Sequence, residues 1–92
     1  MFLWDADNIE HIALHEVAPR EAEEVVWNDP IALERQLRGG EVRLPHLGET
    51  RAGRILFVVL VERGHDVRVV TAYPADARSR RFYLHQKGHS RA

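Results

Sequence analysis

The sequence predicts an α+β fold: two N-terminal helices packed on a three- to four-stranded antiparallel sheet, with a C-terminal helix. Three observations lead there. Ile55 to Val61 is an unbroken apolar run rich in β-branched residues, which suits a strand buried on both faces. It is far shorter than the roughly 20 residues a membrane helix needs. Arg63-Gly64-His65-Asp66 then supplies turn chemistry, and Val67 to Tyr73 runs back until Pro74 stops it, so the two runs form a hairpin. Upstream, Ile9, Ile12 and Ala13, then Ala22, Val25 and Val26, recur at helical spacing and supply stripes to cover that sheet.

Phe2-Leu3-Trp4 is a short apolar start suited to a strand at the sheet edge. Asp7-Asn8-Ile9-Glu10 has the form of a capping box, so a first helix is expected from Asn8 to His15 or Glu16. Pro19 suits the first turn of a second helix. Glu21, Glu23 and Glu24 follow in its early turns, where the helix dipole favours anions. Ala18 is a poor N-cap for it. Asn28-Asp29-Pro30 ends this helix, and Asp29 is positioned to cap a short helical turn from Pro30 to Leu37. Gly39-Gly40 reads as a flexible joint. Glu41 to Leu47 alternates like a half-buried strand, with Val42 and Leu44 on one face. Pro45 cannot donate to a ladder, so this strand should lie outermost or carry a bulge. After Pro74, Asp76 caps a last helix, Ala77 to Lys87, closed by Gly88. Phe82 and Leu84 do not share a stripe, so loose docking is expected there. His89 to Ala92 should fray.

Ninety-two residues are enough for one domain, 1–92, with one modest core. There is no cysteine, which excludes a disulfide framework and a thiolate metal site. The first residues lack a basic region followed by an apolar run, so no secretory signal is expected and a cytoplasmic location is the default. Net charge is −1, but residues 1–34 hold nine acids against one base, and residues 35–92 hold twelve bases against five acids. Eleven of those twelve bases are arginine, whose planar fork suits phosphate and carboxylate. Two readings follow. The halves neutralise each other on folding, or the later half presents a phosphate-binding face.

Several chemistries are excluded. Gly39-Gly40 lacks the Gly-Lys-Ser/Thr of a phosphate loop, and so short a chain hardly builds the cleft a glycosidase needs. His11 and His15 stand at i, i+4, a spacing that places two imidazoles on one metal. The glutamate that follows the first histidine in metalloproteases is replaced by Ile12, and no third ligand is evident. RNA cleavage without a metal needs a base for the 2′-hydroxyl, cations for the phosphorane and an acid for the leaving oxygen. The chain holds candidates for each: His15, His46 or Glu41 for proton transfer, Arg43, Arg54, Arg68 and Arg81 for charge, and Tyr73 or Tyr83 for stacking a base or giving a proton. Solvated positions for Arg68 and for Arg78, Arg80 and Arg81 are the competing reading.

The order of motifs resembles the BrnT family of small toxins from type II toxin–antitoxin pairs. The matching features begin with Phe2-x-Trp4-Asp5 and Asn8, then His15-x-Val17-x-Pro19-x-Glu21-x-Glu23-Glu24. Gly40-Glu41-x-Arg43 with Gly48, and Gly53-Arg54-x-Leu56-x-Val58-Val59, continue the series. Arg68-Val69-Val70-Thr71-Ala72 and Arg80-Arg81-x-Tyr83 complete it. The resemblance implies a RelE-like fold and a metal-independent ribonuclease that needs no cofactor. It implies an RNA substrate, a cognate antitoxin, and operator DNA reached only through that antitoxin. Apart from the resemblance, no membrane partner is expected, and a homo-oligomer stays open. Carried over by position, the site residues are His15, Arg43, Arg54, Arg68 and Arg81. Leu14 stands where the family often has a basic residue, Glu16 where it often has glycine, and Tyr73 where many members have arginine. The alternative function is a non-catalytic dimerisation or partner-binding module of the same fold.

Overall fold

The computed structural model describes residues 1–88, so the expected fraying of 89–92 lies outside the described residues. In chain order the elements are β1 (Phe2–Leu3), α1 (Ala6–Ala13), α2 (Pro19–Trp27), β2 (Ile31–Ala32), β3 (Gln36–Arg38), β4 (Glu41–Glu49), β5 (Ile55–Arg63), β6 (Asp66–Pro74) and α3 (Ala77–Gln86). The fold is α+β, but the sheet is wider than expected and mixed rather than antiparallel. Its strands run β1-β6-β5-β4-β2, and β3 pairs with the other end of β4. The N-terminal strand does join the edge, and it lies parallel to β6, with Phe2 beside Val67 and Leu3 beside Arg68.

The central hairpin forms as its sequence requires. β5 pairs with β4 on one side and β6 on the other, which is why Ile55 to Val61 needs apolar residues on both faces. Leu56, Val58 and Leu60 point to one face with Leu44, Val69 and Ala72, and there meet Ile12, Val17, Ala22 and Val25 from the helical side. Leu47, Ile55 and Phe57 point to the other face, where Ala75, Tyr83 and Leu84 cover one end. Tyr83 is the anchor of α3 that the Phe82–Leu84 spacing obscured. It is buried, and its hydroxyl donates to Glu49 Oε1 at 3.5 Å. Phe82 stays exposed.

Helix starts differ in detail from the expectation. α1 begins two residues early, because Asp5 rather than Asp7 is the N-cap. The Asp5 carboxylate accepts from the Asn8 N–H, and the Asn8 amide oxygen accepts from the Asp5 N–H. Of its expected stripe only Ile12 is buried; Ile9 and Ala13 are exposed. α2 begins at Pro19 as expected, and Glu21 compensates for the weak cap by accepting from the Ala18 N–H at 3.0 Å.

The helical turn expected over Pro30 to Leu37 does not form. Asp29 takes φ +50° and redirects the chain, and β2 and β3 add to the outer edge of β4 instead. The edge of β4 offers unpaired backbone groups, and Ile31 and Leu33 gain a core to pack on. These gains outweigh a weak local helix preference. β4 is therefore covered along its outer edge rather than outermost. Pro45 is accommodated because its carbonyl accepts from the Leu33 N–H at 2.9 Å. Its nitrogen faces that same outer side, where β2 and β3 part, so no bond to β5 is lost. Gly39-Gly40 is not a loose joint but a two-residue hairpin turn, with φ +58° and +78°, between the paired Arg38 and Glu41. α2 lies close on β4 at Gly48, where a Cβ would stand 2.9 Å from Val25 Cγ1.

Candidate active site

The sheet face opposite α2 is only partly covered, and the strand registers decide what it presents. Along a strand, alternate side chains share a face. Leu44 is on the helical side, so Arg43, Pro45 and Leu47 point the other way. Phe57 lies opposite both Leu47 and Tyr73, and Val59 opposite both Pro45 and Thr71. Val61 lies opposite Arg68. A bulge in β6 brings these together. Val59 pairs with Thr71 while Leu60 pairs with Val69, which leaves Val70 as the extra residue. Arg68 and Thr71, three apart, consequently face the same way, as they would not in a regular strand.

α1 delivers two imidazoles to this face around the open edge of β6. His11 Nε2 lies 3.1 Å from Thr71 Oγ1. His15 follows the end of α1 and sits edge to face with His11, ring centroids 5.7 Å apart. On its other side it meets Tyr73 at 5.8 Å, and Tyr73 meets Phe57 at 5.4 Å. The result is a row of four rings along one edge of an open sheet. His15 is held where it is by the turn that follows. Glu16 takes φ +60°, and its carbonyl accepts from Arg54 at 2.9 Å.

The five residues singled out by position do not all meet. His15, Arg43 and Arg68 share the open face. Arg43 makes no ion pair among the described residues, and its Nε is buried without a hydrogen-bond partner. Arg68 is held by Asp5, to which its Nη1 and Nη2 donate at 2.6 and 3.2 Å. The Arg68 hydrogen bond holds the Asp5 carboxyl below its usual range, and Asp5 in turn raises the Arg68 guanidinium. Arg54 has the parity of Leu56 and turns to the helical side, where its Nη1 donates to both carboxylate oxygens of Glu21 at 2.9 and 2.8 Å. Burial raises the Glu21 carboxyl, but the Ala18 N–H and Arg54 outweigh it and leave the group below its usual range. Arg81 is exposed on α3 and makes no ion pair or side-chain hydrogen bond among the described residues.

Of the other candidates, Glu41 faces the open side but is paired with Arg63 at 2.6 Å. His46 lies opposite Val58, on the helical side, with Nδ1 2.9 Å from the Leu44 carbonyl. Tyr83 is in the core, and burial, then Glu49, push its hydroxyl up. His11, Thr71 and Phe57 are the site members that the sequence did not single out for this chemistry. The i, i+4 spacing of the histidines was the available signal. No cluster of three metal-ligating side chains exists among the described residues.

An imidazole pair, an unpaired arginine and an exposed aromatic row on an open sheet face define a class: small α+β proteins with a shallow, cation-bearing surface rather than a deep cleft. Within it the family is shown. Residues 4–79 match the model of the ribonuclease toxin BrnT of type II toxin–antitoxin systems, and the chain belongs to that family. The family is one of toxins that act as ribonucleases and are opposed by an antitoxin partner. No curated protein matches the chain. No helix among the described residues is long and apolar enough to cross a membrane.

Proposed function

We propose that this toxin is a metal-independent endoribonuclease of RelE-like fold that cleaves RNA on the open face of its sheet. Arg43 carries the reading: it lies on that face opposite Gln36 and has no carboxylate partner among the described residues. A phosphodiester is the ligand that its planar guanidinium suits. The 2′-oxygen attacks phosphorus as its proton passes to an imidazole, the bond from phosphorus to the 5′-oxygen breaks, and a second group protonates that oxygen. The products are a 2′,3′-cyclic phosphate and a 5′-hydroxyl. His15 and its neighbour His11 supply the two proton-transfer groups. Arg43 stabilises the phosphorane, and Arg68 adds charge where Asp5 leaves it free to do so. Tyr73 stacks a base. Arg54 acts one step removed, as a positioning residue that fixes the turn after His15. Arg81 contacts the RNA backbone beyond the scissile bond. The antitoxin covers this face in the cytoplasm and carries the pair to operator DNA.

The competing reading is a partner-binding module, favoured by the carboxylates already paired with Arg54 and Arg68. Expression without the antitoxin separates the two. Growth arrest that His15→Ala and Arg43→Ala each relieve by about 100-fold in RNA cleavage rate, with both variants folded and wild-type cleavage persisting in chelator, supports the ribonuclease. Normal growth with abundant soluble wild-type protein, and intact RNA at high protein concentration, refutes it.

A further inference from the structure

Beside the ring row lies a second feature of the same face, a groove of about 280 Å³. Pro45 and Val59 form its floor, Phe57 and Tyr73 its wall, and Glu34 and Gln36 its polar rim. Its volume falls just under the range of about 300–1,000 Å³ common for small-molecule sites, so it suits one ring system rather than a whole nucleotide. The floor offers no hydrogen bonds from side chains. The wall is an exposed tyrosine already tilted against a phenylalanine. An apolar slot with an aromatic side is how proteins hold an unstacked base of single-stranded RNA.

The rim makes the groove selective. A carboxylate beside a face meant for polyanions works against affinity, unless it accepts donors that the ligand brings. Glu34 is exposed and makes no ion pair among the described residues, so both of its oxygens are available to a ligand. A carboxylate only accepts, whereas the Gln36 amide can donate. Uracil presents one ring N–H, and cytosine and adenine each present one exocyclic amine beside a ring acceptor. Guanine presents two adjacent N–H donors, N1–H and the 2-amine, next to the O6 acceptor. That edge satisfies both Glu34 oxygens and leaves O6 for the Gln36 amide. Gln36 also lies directly opposite Arg43 in the β3–β4 register, which puts the base-reading rim next to the proposed phosphate cation.

We propose that this groove is a guanine subsite, with Tyr73 the stacking side chain and Glu34 the specificity determinant. The proposal rests on the ribonuclease reading for its biological use, but not for its detection. GMP, AMP, CMP and UMP titrated into the 15N-labelled protein should move the amides of residues 33–36 and 73, with GMP bound about tenfold more tightly than AMP. Tyr73→Ala should weaken all four nucleotides. Glu34→Gln offers one donor where two acceptors are needed and should remove the GMP preference while the spectrum stays dispersed. Absence of shifts in this groove, equal affinity for the four, or a GMP preference that survives in Glu34→Gln overturns the proposal. Cleavage of a random-sequence RNA separates the two ideas. Cuts with no guanine bias sink the subsite and leave the ribonuclease standing. Selective GMP binding without any cleavage supports the subsite and sinks the ribonuclease.

Discussion

Glu16→Gly should stabilise this protein. Glu16 follows His15 in the turn that closes α1, at φ +60°, in the left-handed region. Its side chain is exposed and makes no ion pair among the described residues, so the substitution removes no contact. Its carbonyl keeps the bond from Arg54, since that is backbone. The left-handed conformation costs a residue with a Cβ about 1–2 kcal/mol. Glycine escapes that cost but gives up about 0.5–1 kcal/mol through the greater freedom of its unfolded chain. The difference is a gain of about 0.5–1 kcal/mol, or about 2–8 °C in Tm for a chain of this size. Glu16→Ala is the control: it removes the same side chain but keeps the strain, and should move Tm by less than about 2 °C. Thermal and urea unfolding followed by circular dichroism would measure both. If alanine stabilises as much as glycine, the effect belongs to the lost carboxylate. If glycine destabilises, the conformational reasoning is wrong.

Three further outcomes are expected. Asn8→Ala should cost about 3 kcal/mol, because the buried side chain accepts from the Asp5 N–H and donates to the Leu3 and Val69 carbonyls; a urea midpoint unchanged from wild type would refute this. Arg54→Ala should cost about 1 kcal/mol, with the exposure of its guanidinium limiting the loss, and a double-mutant cycle with Glu21→Ala should return about 0.5–1 kcal/mol of coupling; a coupling of zero would mean the pair is decorative. Acid should unfold the protein through its depressed carboxyls, Asp5, Glu21 and Asp76. A folded-state pKa below the unfolded value contributes stability that is present above about pH 4–5 and is lost as pH falls through the folded value. Tm should be nearly flat from pH 7 to 5 and drop below about 4, less steeply in Glu21→Gln.

Arg54 shows how structure changes the reading of a residue without changing its importance. By sequence it is one arginine among several, two residues before Leu56. In the fold it ties Glu21 on α2 to the turn that carries His15. An Arg54→Ala variant that loses toxicity therefore speaks to positioning as much as to phosphate binding. Asp5 likewise does two things at once: it caps α1 and clamps Arg68.

The sequence by itself determined the central hairpin, the α2 start at Pro19, the last helix after Asp76 and the family. Each is written in local chemistry: an apolar run bounded by turn residues, a proline or a cap at a helix start, and motifs in fixed order. The tertiary structure decided which residues share a face. β2 and β3 replaced a helical turn because the edge of β4 and the core beneath Leu33 reward pairing that no local propensity encodes. The bulge at Val70 set Arg68 and Thr71 side by side, which simple alternation would have separated. Arg54 was drawn to Glu21 on α2, and Arg43 found no carboxylate among the described residues. Side-chain direction depends on register, and register is fixed by the partners a strand finds only once the chain has closed on itself.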